Sequence, residues 1–428
     1  MTTLAMRVGS PQSPAAIGPL LRGPLPAWAL LFLNVMPFQG TSIVPIPHSI
    51  GQAIAQGSLL AALVLVLLAN PGMVVRPNIL LMFLTAMAVL ALTVGIHNEF
   101  PIGSTYRAGR LVLFVVVLWV LTRWWGMGDL PLLRAHLSCL KVIVASVWLG
   151  ALVAPGPAFA TDGRLTGLVW PIPPPQVAHY AAVLVGCTVV LWFCGVVGGR
   201  GTVATLVAGG SALVATHTRT ALLGLALALV VAAASLFVGH ARVRRTAGVA
   251  LLVSLVAWTV FSPFIVSWLA RGQSVEDLAQ LTGRTKVWAE IAQRQTTTTQ
   301  ELFGTGLGNK SFGGLPIDSN WVATHLELGR LGVALVVGFL VFLLLAAITR
   351  PAGPRRAVAL LLIVYCATAS FTETGLGDAS PYLLDVVVAA SLVAAPAGPL
   401  AGRARLLPAT RPSTGEAGGI ATRSAPLS

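Results

Sequence analysis

Charged residues are scarce in this chain: of its 428 residues, 9% are Asp, Glu, Lys or Arg, whereas 56% are hydrophobic. Soluble globular domains carry about 25% charged residues, so the composition excludes a water-soluble enzyme and a disordered chain. Cysteine is scarce as well, and the four cysteines lie inside apolar runs rather than in polar loops. That placement predicts neither a disulfide framework nor a cysteine metal cluster. The sequence therefore indicates an integral membrane protein.

Long apolar runs make up most of the sequence, and a membrane-spanning helix needs roughly 20 apolar residues. Twelve runs qualify as spans: 25–40, 50–69, 78–96, 108–125, 136–154, 176–197, 202–217, 220–239, 247–269, 322–348, 357–371 and 382–400. Backbone groups in hydrocarbon must bond internally, and runs this long are unlike the alternating strands of a membrane barrel. We therefore predict an all-α fold, a polytopic transmembrane helical bundle of about 12 spans.

Basic residues are divided unevenly between the two sets of alternating loops, and cytoplasmic loops are the ones enriched in arginine and lysine. One set holds sixteen basic residues against two acids, so we predict that this side and both termini are cytoplasmic. The other set holds ten basic residues and eleven acids, and these ten run against the positive-inside trend. Topology also explains the net charge of +14, so no nucleic-acid partner is predicted. The expected location is the plasma membrane, with the lipid bilayer as a partner.

The run boundaries divide the chain into five parts. Residues 1–24 are predicted to form a cytoplasmic N-terminal tail, and 401–428 a disordered cytoplasmic tail. Spans one to nine occupy 25–269, and spans ten to twelve occupy 322–400. The part between them, 270–321, is the longest weakly apolar stretch, and loops above about 12–15 residues are usually functional or disordered. We predict that this loop is extracytoplasmic and carries the site motifs.

The first half of this loop has helical periodicity. Its apolar residues recur at helical spacing between charged residues over 274–293: Leu278, Leu281, Trp288 and Ile291. The pattern predicts an amphipathic helix lying on the membrane face, with Trp288 at the interface. A polar linker, 295–300, leads to the glycine-rich segment 302–310, whose spacing matches neither Walker A nor G-x-G-x-x-G. Nucleotide binding is therefore not predicted, and glycine turns at the lip of a helix bundle are the simpler interpretation.

Four short motifs in this region, taken in order, resemble those of a known family. They are Thr282-Gly283-Arg284-Thr285-Lys286-Val287-Trp288, Leu302-Phe303-Gly304-Thr305-Gly306-Leu307-Gly308, Asp318-Ser319 and Glu327-Leu328-Gly329-Arg330-Leu331-Gly332. The set is similar to that of the O-antigen ligase and polymerase superfamily, polytopic glycosyltransferases that use polyprenyl-diphosphate-linked glycans. Two weaker similarities lie upstream, at Gly163-Arg164-Leu165-Thr166-Gly167, followed by Pro173-Pro174-Pro175-Gln176-Val177-Ala178, and at Thr218-Arg219-Thr220.

The resemblance implies transfer of a glycan from a polyprenyl-diphosphate donor to a glycan, lipid or protein acceptor on the outer face of the membrane. Arg219 and Arg284 are expected to act on the diphosphate, and arginine suits this because it binds phosphate bidentately and stays charged. The residues expected to contact substrate are Arg164, Lys286, His325, Glu327 and Arg330. The chain has no D-x-D motif, no H-E-x-x-H and no Cys/His cluster, so no metal and no cofactor are predicted.

The general base is expected at Asp318. In the ligases a histidine at this position is thought to activate the acceptor, and this chain has Asp318 there, followed by Ser319 in place of an asparagine. A carboxylate also accepts a proton from a hydroxyl group, so the role can survive the change. His325 lies about two turns further along one face if a single helix includes both residues. Glu327, an acid within a predicted span, is expected either to act in the site or to pair with Arg330.

Plainer interpretations stay open. Arg219 also fits an arginine that snorkels to the headgroups, Arg284 a solvated helix face, and Arg164 an ordinary loop arginine. A polytopic transporter or a lipid-linked glycan flippase is the competing class, since twelve spans and buried charges are usual there too. Transporters often have two similar halves, and this sequence shows no such repeat. A third interpretation is a membrane protein that keeps the scaffold without the activity.

Overall fold

The computed structural model of this chain describes most residues from Gly23 to Pro396. The residues outside the description are 1–22, 40–41, 99–100, 129, 271–283, 294, 309, 313–314 and 397–428. The described helices are, in chain order, α1 (Leu25–Val35), α2 (His48–Ala69), α3 (Ile79–Ile96), α4 (Pro101–Leu121), α5 (Pro131–Val153), α6 (Pro155–Ala158), α7 (Pro174–Phe193), α8 (Gly199–Ala215), α9 (Arg219–Leu236), α10 (Ala241–Ala270), α11 (Arg284–Ala292), α12 (Thr298–Phe303), α13 (Asn320–Ile348), α14 (Pro354–Ala369) and α15 (Pro381–Val393). The described strands, β1 (Ser311–Phe312) and β2 (Leu315–Pro316), form one antiparallel pair. The predicted all-α class is therefore confirmed.

Each of the twelve predicted apolar segments overlaps one of these helices. Eight of the described helices are long and apolar enough to cross a membrane: α2, α3, α4, α5, α7, α9, α10 and α13. The apolar helices α1 and α15 are shorter, with 11 and 13 residues. Large apolar side chains cover the outward faces, and Leu60, Val142 and Leu152 are each more than half exposed. Such faces belong in hydrocarbon rather than in water, so the chain is a helical membrane protein.

Helices α7 and α15 form the centre of the bundle. Every residue in 177–188 and in 381–393 is buried, as expected for helices that are apolar all round. Helix α7 packs against α5, α8, α9 and α14, whereas α15 packs against α1, α5, α13 and α14. A small residue permits one of these close approaches, because Gly186 of α7 lies against Leu361 of α14. The two central helices therefore hold the surrounding ones in place.

Loops gather at two ends of the bundle. One, here called the arginine end, comprises residues 70–78, 122–128, 349–353 and 393–396. Arginines at this end donate hydrogen bonds to main-chain carbonyls: Arg123 to Ala69 and Arg350 to Val393, each the last residue of a helix, and Arg355 of α14 to Met127 in the loop 122–128. Carbonyl groups at helix C-termini lack intrahelical donors and carry partial negative charge, so cations stabilise them.

The other end, here called the motif end, comprises residues 97–98, 159–173, 216–218, 304–308, 310–312, 315–319 and 370–380. Hydrogen bonds connect these loops to one another and to nearby helices: Asn98 to Thr305, Arg107 to Gly308, Arg110 to Ala379 and Leu165 to Ala215. The motif end therefore contains residues 304–308 and 318–319 of the motifs that carry the family resemblance, and the motif at 327–332 contacts it from α13. The predicted tails, apart from residues 23–24, lie outside the described residues.

The predicted amphipathic helix is described from Arg284 onward, as α11, and its earlier residues Leu278 and Leu281 lie outside the described part. The apolar face of α11 packs on protein: buried Val287 forms a small cluster with Ile317 and Ala323. The described part is therefore helical and packs on protein through Val287, and its place on the membrane face stays a prediction. Its apolar residues are covered by the start of α13.

The predicted polar linker 295–300 is partly helical, because α12 begins within it. Thr297 caps this helix: its hydroxyl accepts the N–H of Gln300 at 3.2 Å, and the Gln300 side chain accepts the N–H of Thr297 at 3.2 Å. This reciprocal pair is a capping box, and its sequence signature, T-x-x-Q, is present in the chain. The helix is only six residues long, which is too short for apolar periodicity to reveal it.

Helix α13 is interrupted at Gly329, which has a φ of +65°. A break of this kind leaves carbonyl groups of the preceding turn without intrahelical donors. The glycine-rich segment supplies the donors instead: the N–H of Thr305 bonds the Leu326 carbonyl, and the N–H of Gly306 bonds the Glu327 carbonyl, both at 2.9 Å. The two glycine motifs, whose third residues Gly304 and Gly329 are 25 residues apart in the chain, are thus in direct contact.

Gly329→Ala is expected to destabilise the fold. A methyl group there meets the Leu302 carbonyl, and a φ of +65° alone costs an L residue about 1–2 kcal/mol. We expect a lower melting temperature of the detergent-solubilised protein in a thermal scan. Gly210→Ala is the matched control, since Gly210 lies within helix α8 with open space around it, and it should melt no lower than the parent. Equal melting of the two variants would contradict the packing described.

Candidate functional site

A cavity of about 520 Å³ lies at the motif end, and it is here called the carboxylate cavity. Its walls are the end of α3, helix α12, the glycine-rich segment, β1 and the first turns of α13. Polar side chains line it: His97, Asn98, Gln300, Lys310 and Glu327. The contact between the two glycine motifs creates this space, because it brings residues 304–308 over the start of α13.

Glu327 is the buried carboxylate of this cavity, with 5% of its surface exposed. Its Oε1 atom accepts the backbone N–H of Gly308 at 2.9 Å, so the glycine-rich segment fixes its orientation. A carboxylate buried beside a cavity can accept a proton from a bound hydroxyl group or accept its hydrogen bond. Glu327 therefore gives the cavity a group with acid–base chemistry.

Lys310 is the cation of the carboxylate cavity, and its Nζ atom lies 3.4 Å from Oδ2 of Asp378. Burial alone raises the pKa of the Asp378 carboxyl, but the Lys310 ammonium and the Arg110 guanidinium outweigh it, so this pKa lies below its ordinary value. Asp378 is therefore ionised at neutral pH. Arg107 donates to the carbonyl of Gly308 and so holds the glycine-rich segment from the side of α4.

A second cavity, of about 540 Å³, adjoins the first and is here called the tryptophan cavity. The two share three lining residues: Gln300, Thr305 and Leu326. Trp288 of α11 and Trp321 of α13 line the tryptophan cavity, together with His325. Two spaces with a common wall can hold two parts of one ligand or two ligands side by side.

Among the predicted site residues, Glu327 lines the carboxylate cavity and His325 the tryptophan cavity. Arg330 forms an ion pair with Glu301 of α12, not with Glu327. The expected pairing three residues apart along one helix is therefore wrong. The reason is the break at Gly329, which removes the regular helical spacing between the two side chains.

Asp318, the predicted base, lies just before α13, is partly exposed and lines neither of the two cavities. Because the helix begins at Asn320, no single helix includes both Asp318 and His325, and the expected two-turn relation between them does not hold. The position of Asp318 does not test its predicted role as base. Asn320 lies beside it and accepts the N–H groups of Gly375 and Leu376 at 3.2 and 2.8 Å, which connects α13 to the loop 370–380.

Arg164 and Arg219 are brought together at the motif end. The Arg164 guanidinium donates to the Thr216 carbonyl at 2.9 Å and to the Thr218 hydroxyl at 3.2 Å, immediately before Arg219 begins α9. Burial lowers the pKa of Arg164, whereas the negative charges of Asp162 and Glu373 act against that shift. Neither arginine lines the two cavities. The side chains of Arg284 and Lys286 lie outside the described part, although their backbone begins α11.

Three further ionisable residues meet inside the bundle: His136 and His179, which the sequence reasoning missed, and Asp385, to which it gave no role. The Nε2 atom of His136 lies 2.9 Å from one oxygen of Asp385, and that of His179 lies 3.1 Å from the other. All three are at most 1% exposed. The signal that could have found them is the presence of single ionisable residues in apolar spans, which are costly unless partnered.

Comparisons with protein family models and with curated proteins give no match to this chain. Within the described residues, no group of three or more His, Cys, Asp or Glu side chains is placed to hold a metal ion. A functional proposal must therefore account for the two cavities, the buried carboxylate of Glu327 and the cations around it.

Proposed function

We propose that this chain is a membrane glycosyltransferase that joins a polyprenyl-diphosphate-linked glycan to an acceptor, in the manner of the O-antigen ligase and polymerase superfamily. One observation carries the proposal: the motifs at 302–308 and 327–332 are in contact and enclose a cavity lined by a carboxylate and an ammonium group. Motifs that matched the family by chance would have no reason to meet in space. Their meeting around acid–base and cationic side chains supports a common site.

The proposal includes a topology of twelve spans, with both termini and the arginine end in the cytoplasm. A helix over each predicted span supports this, and so do the arginines that contact carbonyls at the arginine end. The motif end then faces the exterior, where lipid-linked glycans are joined to acceptors. The basic residues there, which the positive-inside trend does not explain, are available for an anionic ligand.

Reporter fusions test this topology. Fusions that end after Arg245 and after Arg356 should give a cytoplasmic signal, and a fusion that ends after Thr296 should give an exterior signal. A pair of reporters active in opposite compartments, fused at the same sites, controls for expression. The opposite pattern would place Glu327 and Lys310 in the cytoplasm and would contradict the proposed site.

The transfer step needs a base and a group that stabilises the leaving diphosphate. The acceptor oxygen attacks the anomeric carbon, the bond from this carbon to the diphosphate breaks, and its electron pair leaves with the diphosphate. The acceptor proton passes to a carboxylate, and Glu327 is our proposed base because it is buried, oriented and in the cavity. Lys310 lines the same cavity and offsets the developing charge. Attack opposite the leaving group inverts the anomeric configuration.

Arginines complete the proposed donor site. Arg219 and Arg284 bind the diphosphate, as the resemblance implies, and Arg164 supports the loop beside Arg219. A guanidinium matches two phosphate oxygens at once and stays charged, so it stabilises diphosphate without a metal ion. The proposed enzyme is therefore independent of metals and of cofactors.

A transporter or lipid-linked glycan flippase is the second candidate, and one observation favours it. The buried cluster of His136, His179 and Asp385 lies within three helices, and ionisable groups at such depth often mark ion or proton pathways. The same cluster also stabilises α5, α7 and α15 against one another without any transport. The carboxylate cavity has no evident use in a flippase, so we place this candidate second.

Loss of the gene separates the two candidates. A deletion strain of a transferase should lose one surface glycan and accumulate its lipid-diphosphate-linked precursor in the outer leaflet, where periodate added to intact cells can oxidise it. Mass spectrometry of extracted lipids measures both changes. A flippase deletion would instead keep the precursor in the inner leaflet, protected from periodate. Unchanged surface glycans and unchanged precursors would contradict both functions.

A further inference from the structure

The tryptophan cavity has an unusual combination of lining groups. Two large aromatic rings, Trp288 and Trp321, come from different helices, α11 and α13, and line the same space of about 540 Å³. Polar side chains share that space with them: Thr296, Gln300, Glu301, Thr305 and His325. No lysine or arginine is among the described residues that line it. The cavity therefore suits a neutral ligand that is apolar on one face and rich in polar groups elsewhere.

The indole N–H groups point to the chemistry of that ligand. The Nε1 atoms of Trp288 and Trp321 are buried, and neither has a hydrogen-bond partner among the described residues. Buried tryptophan N–H groups usually have a partner, and an unsatisfied one costs about 1–3 kcal/mol. Four other tryptophans donate to a partner, among them Trp170, which donates to the Pro37 carbonyl at 3.1 Å, whereas Trp125 also has a buried Nε1 without a partner. Both rings line the cavity, so a ligand whose acceptor oxygens reach the ring edges would supply the missing partners.

We propose that the tryptophan cavity binds a sugar residue of the acceptor glycan, an inference that rests on the proposed transferase function. The C–H face of a sugar ring stacks on the electron-rich face of an indole, and its hydroxyl oxygens accept N–H hydrogen bonds. An isoprenoid chain would fill the space but leave both N–H groups unsatisfied. A diphosphate would find no cation in the described lining of this cavity, whereas Lys310 lines the carboxylate cavity.

The position of the cavity fits this assignment. Gln300, Thr305 and Leu326 line both cavities, so a sugar bound in the tryptophan cavity lies next to the cavity that contains Glu327. The assignment makes the acceptor a glycan, or a molecule whose receiving end carries one, rather than a bare protein side chain.

The test is binding of lipid-free sugar by the purified full chain in lipid nanodiscs. An array of neutral oligosaccharides without lipid or diphosphate identifies a binder, and titration of that oligosaccharide measures its affinity. Trp288→Leu and Trp321→Leu should each weaken binding at least 10-fold. Trp288→Phe keeps a ring but loses the N–H, so it should bind between Trp288→Leu and the parent. Trp258→Leu is the control, because Trp258 is exposed on α10 and lines neither cavity.

Several results would overturn the inference. They are the absence of any oligosaccharide binding, parental affinity in both leucine variants, and an equal loss in Trp258→Leu. Tight binding of decaprenyl phosphate that depends on Trp288 and Trp321, without sugar binding, would assign the cavity to the lipid instead. Melting temperatures near that of the parent keep a loss of binding from being ascribed to unfolding.

The experiment also separates this inference from the proposed function. Oligosaccharide binding needs no lipid-diphosphate donor, so it is measured without donor and apart from transfer. Binding without any transfer would support the sugar site and contradict the transferase. Transfer that proceeds normally in both leucine variants would contradict the sugar site and leave the transferase standing.

Discussion

Glu327→Gln should lower glycan transfer by about two to four decades, the usual range for loss of a general base. Glutamine keeps the shape of the side chain, and its amide oxygen can still accept the N–H of Gly308. Only the basicity is lost, so donor binding and melting temperature should stay near those of the parent. Single-turnover transfer from a purified lipid-diphosphate donor measures the chemical step apart from substrate binding.

Asp318→Asn is the decisive comparison, because Asp318 is the base that the sequence motif predicts. Asp318 lines neither cavity, so its amide variant should keep transfer within about one decade of the parent, well above Glu327→Gln. Glu290→Gln controls for the loss of one exposed carboxylate on α11. If Asp318→Asn is inactive while Glu327→Gln turns over normally, the base lies where the motif predicts, and our assignment is wrong.

Arg219→Ala should lower kcat/KM for transfer by about one to two decades. The loss of one strong charge-assisted contact to the diphosphate is worth roughly 1.5–3 kcal/mol, and about 1.4 kcal/mol corresponds to a factor of ten in rate. Arg219→Lys keeps the charge but loses the bidentate contact, so it should fall between the alanine variant and the parent. Arg284→Lys and Arg284→Ala should follow the same order.

The control for these variants is Arg244→Ala, since Arg244 donates to the Phe237 and Val238 carbonyls, away from both cavities. It should transfer at the parental rate. Protein levels in the membrane are compared for all variants, because a lost helix-end contact also lowers stability. Parental activity of Arg219→Ala at normal protein levels would remove Arg219 from the site.

The sequence predicts the helices well because hydrophobic runs directly reflect burial in lipid. The predicted span 50–69 corresponds to α2, His48–Ala69, and 322–348 corresponds to α13, Asn320–Ile348. The largest difference between the first residue of a predicted span and that of the observed helix is in α4, which begins at Pro101, whereas the predicted span begins at 108. Polar residues of its first turns, such as Arg107, lower the local hydropathy without interrupting the helix. Their side chains reach the motif end instead of lipid.

The site is predicted less completely, because its contacts depend on a break in a helix. The glycine turns expected at 302–308 are present, with positive φ at Gly304 and Gly306. Sequence spacing assumes a regular helix and therefore pairs Glu327 with Arg330. The break at Gly329 instead allows the glycine-rich segment to reach Glu327. No local pattern could have revealed that contact.

The spacing of residues along the sequence also gave no indication of contacts between distant parts of the chain. Lys310 and Asp378 belong to different loops, and only the fold brings them to the same end of the bundle. The same holds for the His136, Asp385 and His179 cluster, whose members lie on three helices. No local sequence pattern marks these residues, and their contacts become evident only in the folded structure.

Reconstituted transfer tests the central claim most directly. The purified chain is placed in proteoliposomes with a polyprenyl-diphosphate-linked glycan and a glycan acceptor, with EDTA present, and products are identified by mass spectrometry. We predict release of one polyprenyl diphosphate for each new glycosidic bond, inverted anomeric configuration, and no such product with Glu327→Gln. Movement of intact donor across the bilayer without any new bond, or transfer that stops when EDTA is added, would contradict it.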